Sequence, residues 1–165
     1  MKTLFTATLG LAFASAFASA QALDFNLDAL SAKAKEKAEV TLEGSLLTQA
    51  LQNAPEKVKG AVGNVSRVVV RHYEFDRTDQ YSDADLDPIR KQLSSWSRII
   101  NVKEDHESTE IYMLNQNGKP AGFLLISAEA KELTVVHIVG AIDLASLQAV
   151  VKSTISYDLK SAAGQ

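Results

Sequence analysis

The apolar positions fall first at helical spacing and later in β-like runs. Leu23, Leu27, Leu30, Ala34 and Ala38 recur every three or four residues, while Lys33, Lys35, Glu36 and Lys37 fill the other face. This pattern predicts an amphipathic helix over 27–39. Val40-Thr41-Leu42 reads as a short extended link, and Leu46, Ala50, Leu51 and Ala54 predict a second helix that Pro55 stops. A weaker helical turn over 56–62 ends at Gly63, a residue suited to a helix C-terminus. The pattern then changes, because residues 66–75 are dominated by β-branched and aromatic side chains and predict a strand. A helix is expected to begin at Ser82, with Asp85 completing a capping box and Leu86, Ile89 and Leu93 on one side.

Four further strands are expected at 98–103, 109–114, 122–128 and 133–139. Asn117-Gly118 is the strongest hairpin signal in the chain. Asp143 is a suitable N-cap for a last helix with Leu144, Leu147 and Val151 as its buried stripe, and the tail from Ser161 onward is expected to fray. The predicted fold class is therefore α+β. A five-stranded mixed or antiparallel sheet would carry helices mainly on one face, in a two-layer domain. The expected division is an export signal over 1–20 and a single domain over 21–165, with N-terminal helices at 27–62 and the sheet and its helices at 66–155.

Composition changes this picture at the N-terminus. Lys2 precedes an apolar stretch from Leu4 to Phe17 and then Ala18-Ser19-Ala20, the layout of a secretory signal peptide. Cleavage is expected after Ala20, or after Ala22 in the alternative frame, so the protein should be exported to the periplasm or secreted, without spanning the membrane afterwards. The full chain of 165 residues carries 17 basic and 20 acidic side chains, a net charge of −3 that offers no basic excess for gripping nucleic acid. It contains no cysteine, which removes disulfide frameworks, thiolate metal sites, iron–sulfur clusters, a lipid-modified cysteine and thiol nucleophiles.

Little remains that could carry chemistry. Asp83-Ala84-Asp85-Leu86-Asp87 alternates carboxylates, but a Ca²⁺ loop starting there would need Gly at Pro88 and Glu at Ser94, so the acids are read as complementing a helix N-terminus. Gly60-Ala61-Val62-Gly63 has the form of a nucleic-acid-binding loop and is better explained as helix termination. No G-x-S-x-G elbow occurs. His72 and His137, with Glu74, could form a two-histidine, one-carboxylate site only if the two strands that carry them turned these side chains to one face. Trp96 and Tyr73 are candidates for an exposed contact surface. No catalytic, cofactor-binding or metal-ligating residue is assigned, and no cofactor is expected.

Four strings carry a family likeness: Val69-Val70-Arg71-His72-Tyr73-Glu74-Phe75-Asp76, Tyr81-Ser82-Asp83-Ala84-Asp85-Leu86, Trp96-Ser97-Arg98-Ile99-Ile100, and the run from Lys131 to Leu144. Together they resemble the exported bacterial family called Domain of Unknown Function 4252. The resemblance implies an exported compartment and a small α+β fold, and it transfers no activity, cofactor or site residue. The functional expectation is a non-enzymatic module that binds an envelope protein or peptide through a sheet face or edge. The alternatives are a small-molecule or lipid carrier with a cavity between helices and sheet, or an enzyme of unrecognised type built on His72, His137 and Glu74.

Overall fold

The computed structural model describes residues 25–52, 56–142 and 146–147. The expected export signal at 1–20, the cap at Asp143 with Leu144 and Val151, and the tail lie outside the described residues. Six strands form one sheet: β1 (Glu36–Glu43), β2 (Asn64–Glu74), β3 (Ser97–Glu104), β4 (Glu107–Gln116), β5 (Lys119–Ala128) and β6 (Glu132–Ala141). Their order is β1-β2-β6-β5-β4-β3, and every neighbouring pair is antiparallel. The helical pieces are α1 (Asp28–Lys33), α2 (Gly44–Gln52), α3 (Glu56–Ala61), a 3-10 turn (Asp83–Leu86) and α4 (Asp87–Gln92). Among the described residues no helix is long and apolar enough to cross a membrane.

The α+β class holds, but the expected five strands are six. The helix expected over 27–39 ends at Lys33, where Ala34 turns extended, and residues 36–43 pair along their whole length with β2. Alanine at positions 34 and 38 satisfies a helical pattern, yet eight residues of ladder beside β2 outweigh so weak a preference. Lys35 N–H donates to the Glu74 carbonyl at 2.8 Å and opens that ladder.

The sheet is wholly antiparallel because the crossover from β2 to β3 spans it instead of joining neighbours. β2 and β3 run in the same direction, but β6, β5 and β4 lie between them. The crossover opens as the sequence suggests: the Asp85 carboxylate accepts the Ser82 backbone N–H at 2.9 Å.

Helices cover both faces of the sheet, which corrects the expected single helical layer. On the first face Leu124, Ile126, Leu133 and Val135 pack against Leu27 and Leu30 of the N-terminal segment and Leu86, Ile89 and Leu93 of the crossover. On the second face Phe123, Leu125, Val136 and Ile138 pack against Leu51, Val62, Ile142 and Leu147. The central strands show why. Residues 122–126 and 135–138 are buried without interruption, as strands covered on both sides must be.

Special backbone conformations at two places fix the register. Asn117 (φ 52°) and Gly118 (φ 74°) make the tight β4–β5 turn. Gly140 (φ 132°) lies across from Val65, beside the irregularity between Val65 and Arg67, where an added Cβ would stand 2.2 Å from the Asn64 carbonyl oxygen.

Candidate functional site

The five side chains singled out from the sequence are divided by the pleat. His72 pairs across with Thr134, whereas His137 pairs with Val69, so the two histidines point to opposite faces. His72 Nδ1 lies 3.0 Å from the Thr134 hydroxyl, and its Nε2 is 3.7 Å from Glu74. His137 is packed instead among aromatic rings, 5.3 Å from Phe25 and 5.9 Å from Trp96 between centroids. Burial, then the positive charges of Arg67 and Arg71, lower its pKa to about 4, so it is neutral at pH 7. Trp96 and Tyr73 are 8 % and 6 % exposed and belong to the core on this face. Among the described residues no three His, Asp or Glu side chains converge as a metal site would require.

The same face buries a charged cluster that the sequence pattern did not single out. Glu110 is fully buried in β4 and takes Arg90 of α4 on Oε1 at 3.1 Å and 2.5 Å. Tyr112 donates to its Oε2 at 2.6 Å, and Arg98 stands 3.5 Å away. Burial opposes ionisation of Glu110, but the bonds from Arg90 and Tyr112 outweigh it and hold the carboxyl below its ordinary range. Arg90 also reaches Asp83 at 2.6 Å and Asp87 at 3.1 Å, so a single guanidinium ties the crossover to the sheet. The sequence signal is Glu110 two residues before Tyr112 on the core-facing side of a strand, a place where a carboxylate requires partners.

The open site lies at the end of the sheet beside this cluster. A cleft of about 430 Å³ is enclosed by the β3–β4 turn, the β5–β6 turn and the start of the crossover. Its walls include Lys103, Glu104, Asp105, His106, Glu107 and Ser108 from the first turn. Tyr81, Ser82 and Asp83 form the opposite wall, with Ala128, Glu129 and Ala130 from the other turn.

Tyr81 sets the shape of the cleft. It stacks on Phe75 at 4.4 Å and directs its hydroxyl between the carbonyls of Glu129 and Glu132, the latter at 2.8 Å. Burial pushes its pKa up to about 12. Asp83 is already committed to Arg90, and to Lys103 at 3.2 Å. Among the described residues no ion pair backs Glu129: desolvation, then the carboxylates of Glu132 and Glu107, raise its pKa against a smaller opposing pull from His72. The cleft therefore has a negative field, with the apolar side chains of Leu86, Ala128 and Ala130 among its charged walls.

Comparison with known proteins adds one finding. A family model described as Domain of unknown function (DUF4252) matches residues 31–150, a span that takes in every strand and both walls of the cleft. No curated protein and no solved structure matches the chain.

Proposed function

For a chain that belongs to the DUF4252 family, a domain of unknown function, the site alone must carry the reading; we propose that the protein is an exported, non-enzymatic module that binds a cationic, extended polypeptide of the cell envelope. Export is read from Lys2, the apolar stretch after it and Ala18-Ser19-Ala20. The observation that carries the binding role is the open acidic cleft. Glu104, Asp105, Glu107 and Glu129 line it against Lys103, whose ammonium is held by Asp83. A cation entering it would offset the desolvation, and then the repulsion from Glu132 and Glu107, that raise the Glu129 pKa.

The cleft adjoins the end of β3, whose outer edge no described strand occupies, so an incoming backbone can run along that edge. The carrier alternative fits poorly: Leu86, Ile89, Leu124, Ile126 and Leu133 are at most 1 % exposed where the crossover meets the sheet. The enzyme alternative needed His72 and His137 together, and they occupy opposite faces.

Photocrosslinking of basic and acidic extended peptides of equal length tests the reading. A photoreactive residue is placed at His106 in the cleft, with a control at Lys119 at the far end of the sheet. Basic peptides should label position 106 and spare 119, and labelling should weaken with salt. The double variant E107K/E129K should lower it at least about tenfold, the scale of an interface charge reversal. Equal labelling by acidic peptides, or indifference to the charge reversals, would overturn the reading.

A further inference from the structure

We propose that the protein forms a symmetric dimer through antiparallel pairing of β1 with β1 of a second copy, joining two six-stranded sheets into one. The inference is independent of the cleft, none of whose lining residues lies in β1. Among the described residues β1 pairs only with β2, leaving its outer row of N–H and C=O groups open. Three large apolar side chains are exposed on the described surface, and two of them are here: Val40 at 48 % in β1, and Leu46 at 57 % in the helix that follows. The third, Val102, lies in β3, where a bulge between Arg98 and Ile100 interrupts the edge. β1 pairs without a break from Glu36 to Glu43.

The order of side chains along β1 is self-complementary in the register that pairs residues 37–43, the longest stretch of the strand that any register without opposed like charges can pair. A twofold axis through Val40 sets Val40 against Val40 and Ala38 against Leu42 on the second face of the sheet. On the first face it sets Lys37 against Glu43 and Glu39 against Thr41, so each dimer gains two opposite-charge pairs. The axis at Glu39 would oppose two carboxylates directly, and the axis at Thr41 would set Glu39 against Glu43. An axis between residues would bring the first face of one sheet against the second face of the other, a mismatch that pleat alternation forbids. The carboxylates are also backed within their own chain, Glu39 by Arg71 at 2.9 Å and Glu43 by Arg67 at 3.5 Å. Lys37 contacts the Ser31 hydroxyl at 3.2 Å and leaves its charge available to a partner carboxylate. A closed, isologous pair of this kind occupies the β1 edge from Lys37 to Glu43 and cannot grow further through that edge.

Sedimentation velocity of the purified protein across about 1–100 μM, a range that brackets a micromolar association, should show reversible dimerisation. Val40→Lys, which brings two ammonium groups together on the axis, should abolish it, and Val102→Lys should leave it unchanged. Lys37→Glu and Glu43→Lys should each weaken self-association at least tenfold. An equimolar mixture of these two variants should regain it, because each chain then meets opposite charges at both contacts. Only pairing between chains produces that rescue, and circular dichroism of each variant checks that it folds. A monomer throughout the range, a dimer indifferent to the β1 variants, loss of the dimer with Val102→Lys, or no rescue in the mixture would each overturn the proposal.

Discussion

His137 stands where the geometry of the sheet makes a titratable side chain part of the core. Its imidazole meets Phe25 and Trp96, and it stays neutral because burial and two nearby guanidinium groups disfavour its cation. The sign of the pH effect follows. An unfolded histidine titrates near pH 6.5, whereas the folded one titrates near 4, so protons bind more tightly to the unfolded chain. The stabilisation is complete above the unfolded value and is lost progressively as pH falls from about 6.5 to about 4, by an amount of order 3 kcal/mol. Urea unfolding at a series of pH values should show this slope in the native protein and a flatter one in His137→Leu. The same slope in both would assign the effect to other groups. Glu110 is the opposite case, a buried charge kept ionised by Arg90 and Tyr112; such a cluster is costly to break and contributes position more than stability.

Elements in this protein are chosen by their neighbours as much as by their own residues. Asn117-Gly118 is a turn from local chemistry alone, since its positive φ angles suit that pair. Residues 36–39, by contrast, have a helical pattern and adopt a strand because β2 would otherwise lose a pairing partner along its outer edge. Gly140 shows the same dependence between β2 and β6. Its φ of 132° and the approach of Asn64 leave no room for a side chain. Gly140→Ala should destabilise the fold by about 2–4 kcal/mol, combining backbone strain with a steric clash, and denaturant melts measure the loss directly. Gly63→Ala, where the nearest atom to an added Cβ is 4.0 Å away, should cost little by comparison. Equal losses at the two sites would show that the close contact at Gly140 relaxes without cost.

At the scale of the whole molecule, the two apolar clusters lie on opposite faces but share β5 and β6, whose successive residues feed one and then the other. Neither layer can detach without exposing the strands that support its counterpart, so unfolding should be a single cooperative step. Trp96, the only tryptophan, reports on the first face, while far-ultraviolet circular dichroism reports on the entire sheet. Their urea transitions should coincide, and an earlier tryptophan transition would reveal a face that melts by itself. Much of this architecture was legible in the residues: the α+β class, the strands from residue 64 onward, the Ser82–Asp85 start of the crossover and the β4–β5 turn all rest on local signals. The apolar run at 122–126, and the run at 135–138 that only His137 interrupts, also held the signal for a sheet covered on both sides, beneath an expectation of helices mainly on one face. The identity of β1, the strand order and the separation of His72 from His137 were not legible, because each depends on which strand lies beside another and on which side of the pleat. The cleft is likewise a product of assembly, its walls drawn from segments around residues 81, 106 and 129. Sequence by itself determined the elements whose backbone preferences are local; tertiary structure decided those whose hydrogen-bond partners and neighbouring charges arrive from distant parts of the chain.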